Sequence, residues 1–539
     1  MSRTPLLTDT TDETATASFK LFCKDCFRLS RLAIPMALSY DYSIGVFLIT
    51  VLGSHLPGKR TQAQIASFSA IQTEMNFVIG PLAAALFALS DVGSKLVGQL
   101  RAQESDQTTS EEKEQTKKQI TLVTQTGVVL STVMILPLAL TPFFLSKDML
   151  IAFGQDPEVA QLAAHFLTRF AWATPAFFYR GIIDQTVFSQ GETWPAMLWG
   201  TSSIPITAAL SYWFGYGGLG IEGKGIEGLA TGYVAGSYYT FAVSLAYILS
   251  RSQYRAFHFF NLSTCEVKQI SRMLQRILRI GLPNIIAMFS EMMMSFWMNL
   301  VAGSLSVEDQ AALTGNLLFL MFMILPIYAF GQSFSQEICR AIGEKDFNKA
   351  RRLAKNAMLT CLLWVMPVCL LIMNNPQWLI ASINSRDTEL NEAIHHSLVP
   401  FASGVILDAC RYNLLQQLRA VYDIDTPMMI SIGGISIGCF LEWVLGSLGG
   451  LGTVGIGTGY AAGVGLAATG LFYRWRHKTQ PSIIQAAHEE YLTSQAQPSL
   501  DASTTERCFS WASRLWHRAS RFFSSSSESD STITLISEV

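Results

Sequence analysis

The feature that most constrains this chain is a succession of apolar stretches, each about 20 residues or longer, the length at which a helix crosses a hydrocarbon core. Each span is expected to be a helix, because a lipid-exposed backbone must satisfy its own hydrogen bonds. About twelve are readable: 33–53, 65–93, 120–145, 162–190, 195–216 and 226–249, then 280–303, 311–338, 353–373, 394–418, 427–449 and 454–473. With 14% charged and 50% hydrophobic residues, the 539-residue chain lacks the polar surface that a soluble protein of this size needs. The expected fold class is therefore all-α, a polytopic membrane protein.

Lysine and arginine in the short loops set the orientation. With the N-terminus inside, inner segments hold about 26 of them against about five outside, namely Lys59, Arg60, Lys147, Lys224 and Arg386. Both termini are expected to be cytoplasmic, in a bacterial inner membrane or a eukaryotic one. Topology accounts for the basic residues, so no nucleic-acid partner is expected. Residues 1–18 are polar and Thr-rich, without the apolar core of a cleavable signal. Cys23-x-x-Cys26 has no second pair to complete a zinc site, so no metal is expected.

The chain repeats itself. "RLSRLAIP" at Arg28–Pro35 matches "RILRIGLP" at Arg276–Pro283, and "GLATGYVAG" at Gly228–Gly236 matches "GIGTGYAAG" at Gly455–Gly463. Between them, His165 and Phe170 fall opposite His396 and Phe401, and Pro195 falls opposite Pro427. Six spans per copy is an even number, so both copies enter from one side and the two six-helix bundles are expected to be pseudo-symmetric about the membrane normal, with a binding site between them. The glycine phrase is expected to serve close helix packing. The expected division is a tail over 1–27, bundles over 28–249 and 280–475, and a linker over 250–279 whose Arg272, Arg276 and Arg279 suggest a surface helix entering the seventh span. A polar, Ser-rich tail follows over 476–539, with an interfacial amphipathic helix expected at 508–523.

Several stretches resemble the multidrug and toxic compound extrusion (MATE) transporters: "FGQDPEVAQLAAHFL", "QGETWPAM", "GLPNIIAMFSE" and "ILDACRYNLLQQLRAVYDIDTPMM". The resemblance covers roughly residues 28–475 and points to the NorM-like or eukaryotic branch. It implies a secondary antiporter, with no enzyme activity and no cofactor, that exports organic, often cationic compounds in exchange for protons or sodium by alternating access. In those branches acids in the seventh and tenth spans carry the coupling ion, and Glu291 and Asp408 stand at those positions. Two features lean toward protons: Phe296 occupies the place of a second seventh-span glutamate, and Gly404 that of a tyrosine found in sodium-type members.

The residues support this independently. Glu291 lies about 16 Å into its span at helical rise, and Asp408 is similarly deep. An ionised carboxylate at that depth costs at least about 2.5 kcal/mol, so each is expected to face a cavity. Two acids sharing one partly desolvated chamber cannot both ionise cheaply, which makes a proton switch. Asp408 and Arg411, three apart, could instead pair, which would weaken that switch. "EMMMSFWMN" surrounds Glu291 with thioethers and rings suited to flat lipophilic cations, and Met294 and Trp297 are candidate substrate contacts. Asp41 is a candidate acid in the first half, although family members carry theirs nearer the outer end of the first span. Asp184 is an accessory candidate, with a local pair to Arg180 expected one turn away. The other partner expected is the lipid bilayer, and the protein is expected to act as a monomer. Competing readings are a lipid-linked oligosaccharide flippase of the same superfamily and a transporter-derived receptor or interaction platform.

Overall fold

The computed structural model describes residues 9–40, 45, 48–49, 52–53, 62–105, 109–152, 157–218, 220–255, 257, 267–377 and 388–496. Asp41 and the expected helix at 508–523 lie outside the described residues. The described residues up to Gln485 belong to one compact unit.

The first half contributes α1 (Asp9–Ser39), α2 (Gln62–Ser105), α3 (Ser110–Phe144, with a π turn at Ser131–Ile135) and α4 (157–189, interrupted by a 3-10 turn at Ala171–Ala173). It ends with α5 (Trp194–Tyr216) and α6 (Gly225–Ser250). The second half contributes α7 (Val267–Leu305), α8 (Val307–Gly343), α9 (Phe347–Asn374), α10 (Thr388–Ala420), α11 (Asp425–Leu448, with a π turn at Val444–Leu448) and α12 (Gly452–Lys478). Each expected span thus falls on one of these helices, although 33–53 is described only in part. Eight of them, α2, α3 and α7–α12, are long and apolar enough to cross a membrane. The linker arginines Arg272, Arg276 and Arg279 do belong to a helix, but one continuous with the seventh span. A further helix, α13 (Pro481–Ala496), follows in the part of the 476–539 tail for which the sequence suggested no helix.

Packing follows the repeat. α1 packs on α8 and α9, and α7 packs correspondingly on α2 and α3; α2 and α8 also pack on each other. Inside each half, α4 packs on α6 as α10 packs on α12. The ring of Phe170 lies 5.3 Å from that of Tyr233, and the equivalent Phe401 lies 6.1 Å from Tyr460. The glycine phrases make close helix contacts: a Cβ at Gly232 would overlap the Ser211 backbone of α5, and one at Gly459 would overlap Glu442 of α11. Small residues there let backbones touch, which is how helices gain contact when lipid offers no hydrophobic drive.

Several helices overrun their apolar limits at the end richest in lysine and arginine, the basic end. α2 was expected over 65–93 but continues to Ser105, and Ser90, Asp91, Ser94 and Lys95 on it are all buried. Polar residues are buried there because the two halves meet, so hydropathy understates the helix.

Candidate functional site

Four helices bring one charged group together in the second half. On α10 the i, i+3 spacing puts Asp408 and Arg411 on one face, with Arg411 Nε donating to Asp408 Oδ1 at 2.6 Å. The same guanidinium reaches α7, where Nη2 donates to Glu291 Oε1 at 2.8 Å, and α11, where Nη1 donates to Ser431 Oγ at 2.6 Å. From α8 the Tyr328 hydroxyl donates to Glu291 Oε2 at 2.6 Å, and its ring stacks on Tyr412 with centroids 4.5 Å apart. Glu291 and Asp408 are each 7% exposed and Arg411 1%.

This corrects the expected pair of free acids in an open chamber. The carboxylates are indeed together, but one planar guanidinium bridges them, a geometry that lysine could not supply. With both acids ionised the triad would carry one net negative charge rather than two, and in this conformation all three side chains are buried. Removing the base alone would leave buried uncompensated charge, a loss of about 3–5 kcal/mol.

The other sequence candidates fare differently. Met294 is buried in an apolar cluster with Met298, Val301, Leu313 and Phe401. Trp297 is 37% exposed, and its indole N–H donates to the Cys439 carbonyl at 2.8 Å, tying α7 to α11. Both therefore serve helix packing in this conformation, not the triad. Asp184 does pair locally, with Arg180 Nε at 3.3 Å, and accepts the Trp199 indole N–H at 2.9 Å. Arg180 Nη2 also donates to the Ser39 carbonyl at 2.9 Å, and it lines a small cavity with Ser203, Thr207 and Tyr233. Arg180 and Arg411 stand 231 positions apart, the same offset as His165 and His396, so each half carries a buried arginine at the same place. That equivalence was the available signal for the role of Arg411 and was missed. Tyr328 and Ser431 left no signal in the sequence.

A second constellation closes the basic end, and it too is duplicated. α4 and α10 end in the same way: Gly191 (φ +85°) and Tyr422 (φ +68°) are left-handed, and the amides of Glu192 and Asp423 bond back to the carbonyls of Val187 and Leu418. Over each of these helix ends sits a cation from the opposite half. Lys95 Nζ lies 3.6 Å above the Tyr422 ring, and the Arg340 guanidinium lies beside Gly191, with Nη2 donating to the Ser189 carbonyl at 3.2 Å. Carbonyl-rich helix ends favour cations. Where α2 crosses α8, a Cβ at Gly98 would overlap the Arg340 carbonyl, and one at Gly343 would overlap that of Lys95. Asp91 pairs with Arg419 at 2.7 Å and accepts from Ser335 at 2.9 Å. Glu337 takes both Arg340 and Arg28, the latter at 2.6 Å.

Comparison with known proteins agrees with this architecture. The model of the MatE family matches residues 114–213 and again 283–444, once in each half. A probable multidrug resistance protein NorM of Listeria innocua is 25% identical over 383 residues, 69% of this chain and 81% of that protein. One of the same name from Bacillus subtilis is 23% identical over 474 residues, 86% of this chain and 97% of that protein. Among solved structures, the eukaryotic MATE transporter AtDTX14 superposes with a TM-score of 0.73 at 18% identity, covering 87% of this chain and 99% of its own. An outward-facing multidrug resistance MATE transporter of the MOP superfamily gives 0.71 at 17% identity, with 86% and 97% covered.

Proposed function

The chain belongs to the MATE family of membrane transporters, and on that premise we propose that it exports organic monocations, drug-like compounds among them, in exchange for protons by alternating access. The observation that carries this reading is the Glu291–Arg411–Asp408 triad. Its single excess negative charge is neutralised by one proton or by one organic cation, so the two compete for the same site. Protons fit better than sodium, because a hard cation wants a shell of free oxygens, and here carboxylate oxygens already accept from Arg411 and Tyr328.

The duplicated lock at the basic end supports alternating access. Positive charge in the loops makes that end cytoplasmic. With the halves held together there, the triad can be reached only from the far side once α7 and α10 part. Cargo is then released outward, a proton replaces it, and the lock opens to reset the cycle. Both halves lie in one chain, so a monomer suffices.

The test uses vesicles containing the purified protein and a fluorescent organic cation. A proton gradient should drive accumulation and a sodium gradient should not. Equal flux under both gradients, or under neither, would contradict the reading.

A further inference from the structure

The second half holds another acid that the triad does not use. Glu442 on α11 is fully buried, and neither of its carboxyl oxygens has a hydrogen-bond partner among the described residues. It precedes the π turn at Val444–Leu448, toward the end of α11 that points away from the basic end. Such turns interrupt a helix's hydrogen-bond ladder and recur where a helix does functional work.

Its surroundings lead to the triad. α12 lies against its backbone at Gly459, and the next residue is Tyr460, itself 1% exposed. Tyr460 lies within electrostatic reach of Asp408, Arg411 and Glu291 and also of Glu442. Its ring fills the space left by Gly404, one turn before Asp408, so a tyrosine does stand there, supplied by a different helix. Cys439 on the same helix is also within electrostatic reach of Glu442, and its carbonyl is taken by Trp297 of α7.

An ionised carboxylate with no partner in such a place carries a large desolvation penalty, which a bound proton would remove. We propose that Glu442 is a second proton-binding site, the one that loads the driving proton from the far side. A proton from water at that face binds the Glu442 carboxylate. It then passes by way of the Tyr460 hydroxyl to the triad, whose net charge falls to zero, and Glu442 is reprotonated from the same side. This inference rests on proton coupling as proposed above.

The test pairs two readouts on the full-length protein. Infrared spectra should show a protonated-carboxyl band that Glu442→Gln removes and Glu291→Gln leaves in place. In vesicles, Glu442→Gln should lower proton-driven flux of the fluorescent cation by roughly tenfold while cation-for-cation exchange continues, and Glu442→Asp should restore part of it. Protonated-carboxyl absorption left unchanged by Glu442→Gln, or proton-driven flux equal to wild type, would overturn the proposal. Should the wild type show no proton-driven flux, the transport reading fails, and the infrared band still decides whether Glu442 holds a proton. Should Glu442→Gln fail to fold, Glu442→Asp decides it: the band should shift in that variant, and an unshifted band would overturn the proposal.

Discussion

Lys95 and Arg340 are equivalent residues of the two halves, and each sits over the left-handed residue that ends a helix of the other half, Tyr422 and Gly191 respectively. A contact duplicated by the repeat closes the molecule around its own pseudo-axis. Both copies would have to break for the basic end to open.

Weakening this lock should shift the protein toward the form open at the basic end. Cys339 is fully buried within electrostatic reach of Lys95, Asp91 and Arg419, so it reports that opening. Replacing Lys95→Met together with Asp91→Asn should raise its alkylation rate by roughly tenfold or more, measured site by site by mass spectrometry. An unchanged rate would mean that the lock does not hold the closed form.

Arg411 should matter more to stability than either acid it joins. Arg411→Met alone leaves two buried carboxylates facing each other and should destabilise by about 3–5 kcal/mol. The triple change Arg411→Met, Glu291→Gln, Asp408→Asn should recover much of that loss. Thermal unfolding in detergent checks the order, and additive losses would contradict the shared-base arrangement.

Asp309 ties the start of α8 to that of α12. Burial raises its pKa, but the Thr453 hydroxyl and amide, both at 2.8 Å, and the Ser306 hydroxyl, also at 2.8 Å, outweigh it and hold the carboxyl below its ordinary value. A depressed folded pKa stabilises above the unfolded value of about 3.9 and is lost as pH falls through the folded one. The thermal midpoint of wild type should therefore drop more steeply than that of Asp309→Asn as pH is lowered below about 4. Parallel curves would show that the clamp is idle.

Gly459 should tolerate no side chain. Gly459→Ala overlaps the Glu442 backbone and should cost about 1–3 kcal/mol through forced helix separation, with Gly232→Ala behaving alike against Ser211. Equal melting temperatures for Gly459→Ala and wild type would refute the close crossing.

Much of this was legible in the sequence. Apolar runs gave the helices, and the matched phrases gave the repeat that the Phe170–Tyr233 and Phe401–Tyr460 ring pairs display in space. Glu291 and Asp408 stood out because a charge deep in an apolar run is costly. The reach of Arg411 to Glu291, 120 positions away, was hidden, because local spacing offers Arg411 only Asp408. The lock was hidden for a related reason: Lys95 and Arg340 read as ordinary basic loop residues until the opposing helix ends are seen. Helix α13 lacks the apolar run that made the spans visible.

The most direct test of the account is to count the protons released when an organic monocation binds the purified protein, by calorimetry in buffers of differing ionisation enthalpy. The account predicts one proton per cation for wild type near neutral pH, and none for Glu291→Gln or Asp408→Asn. Cation binding that releases no proton in wild type, with an affinity indifferent to pH, would contradict it.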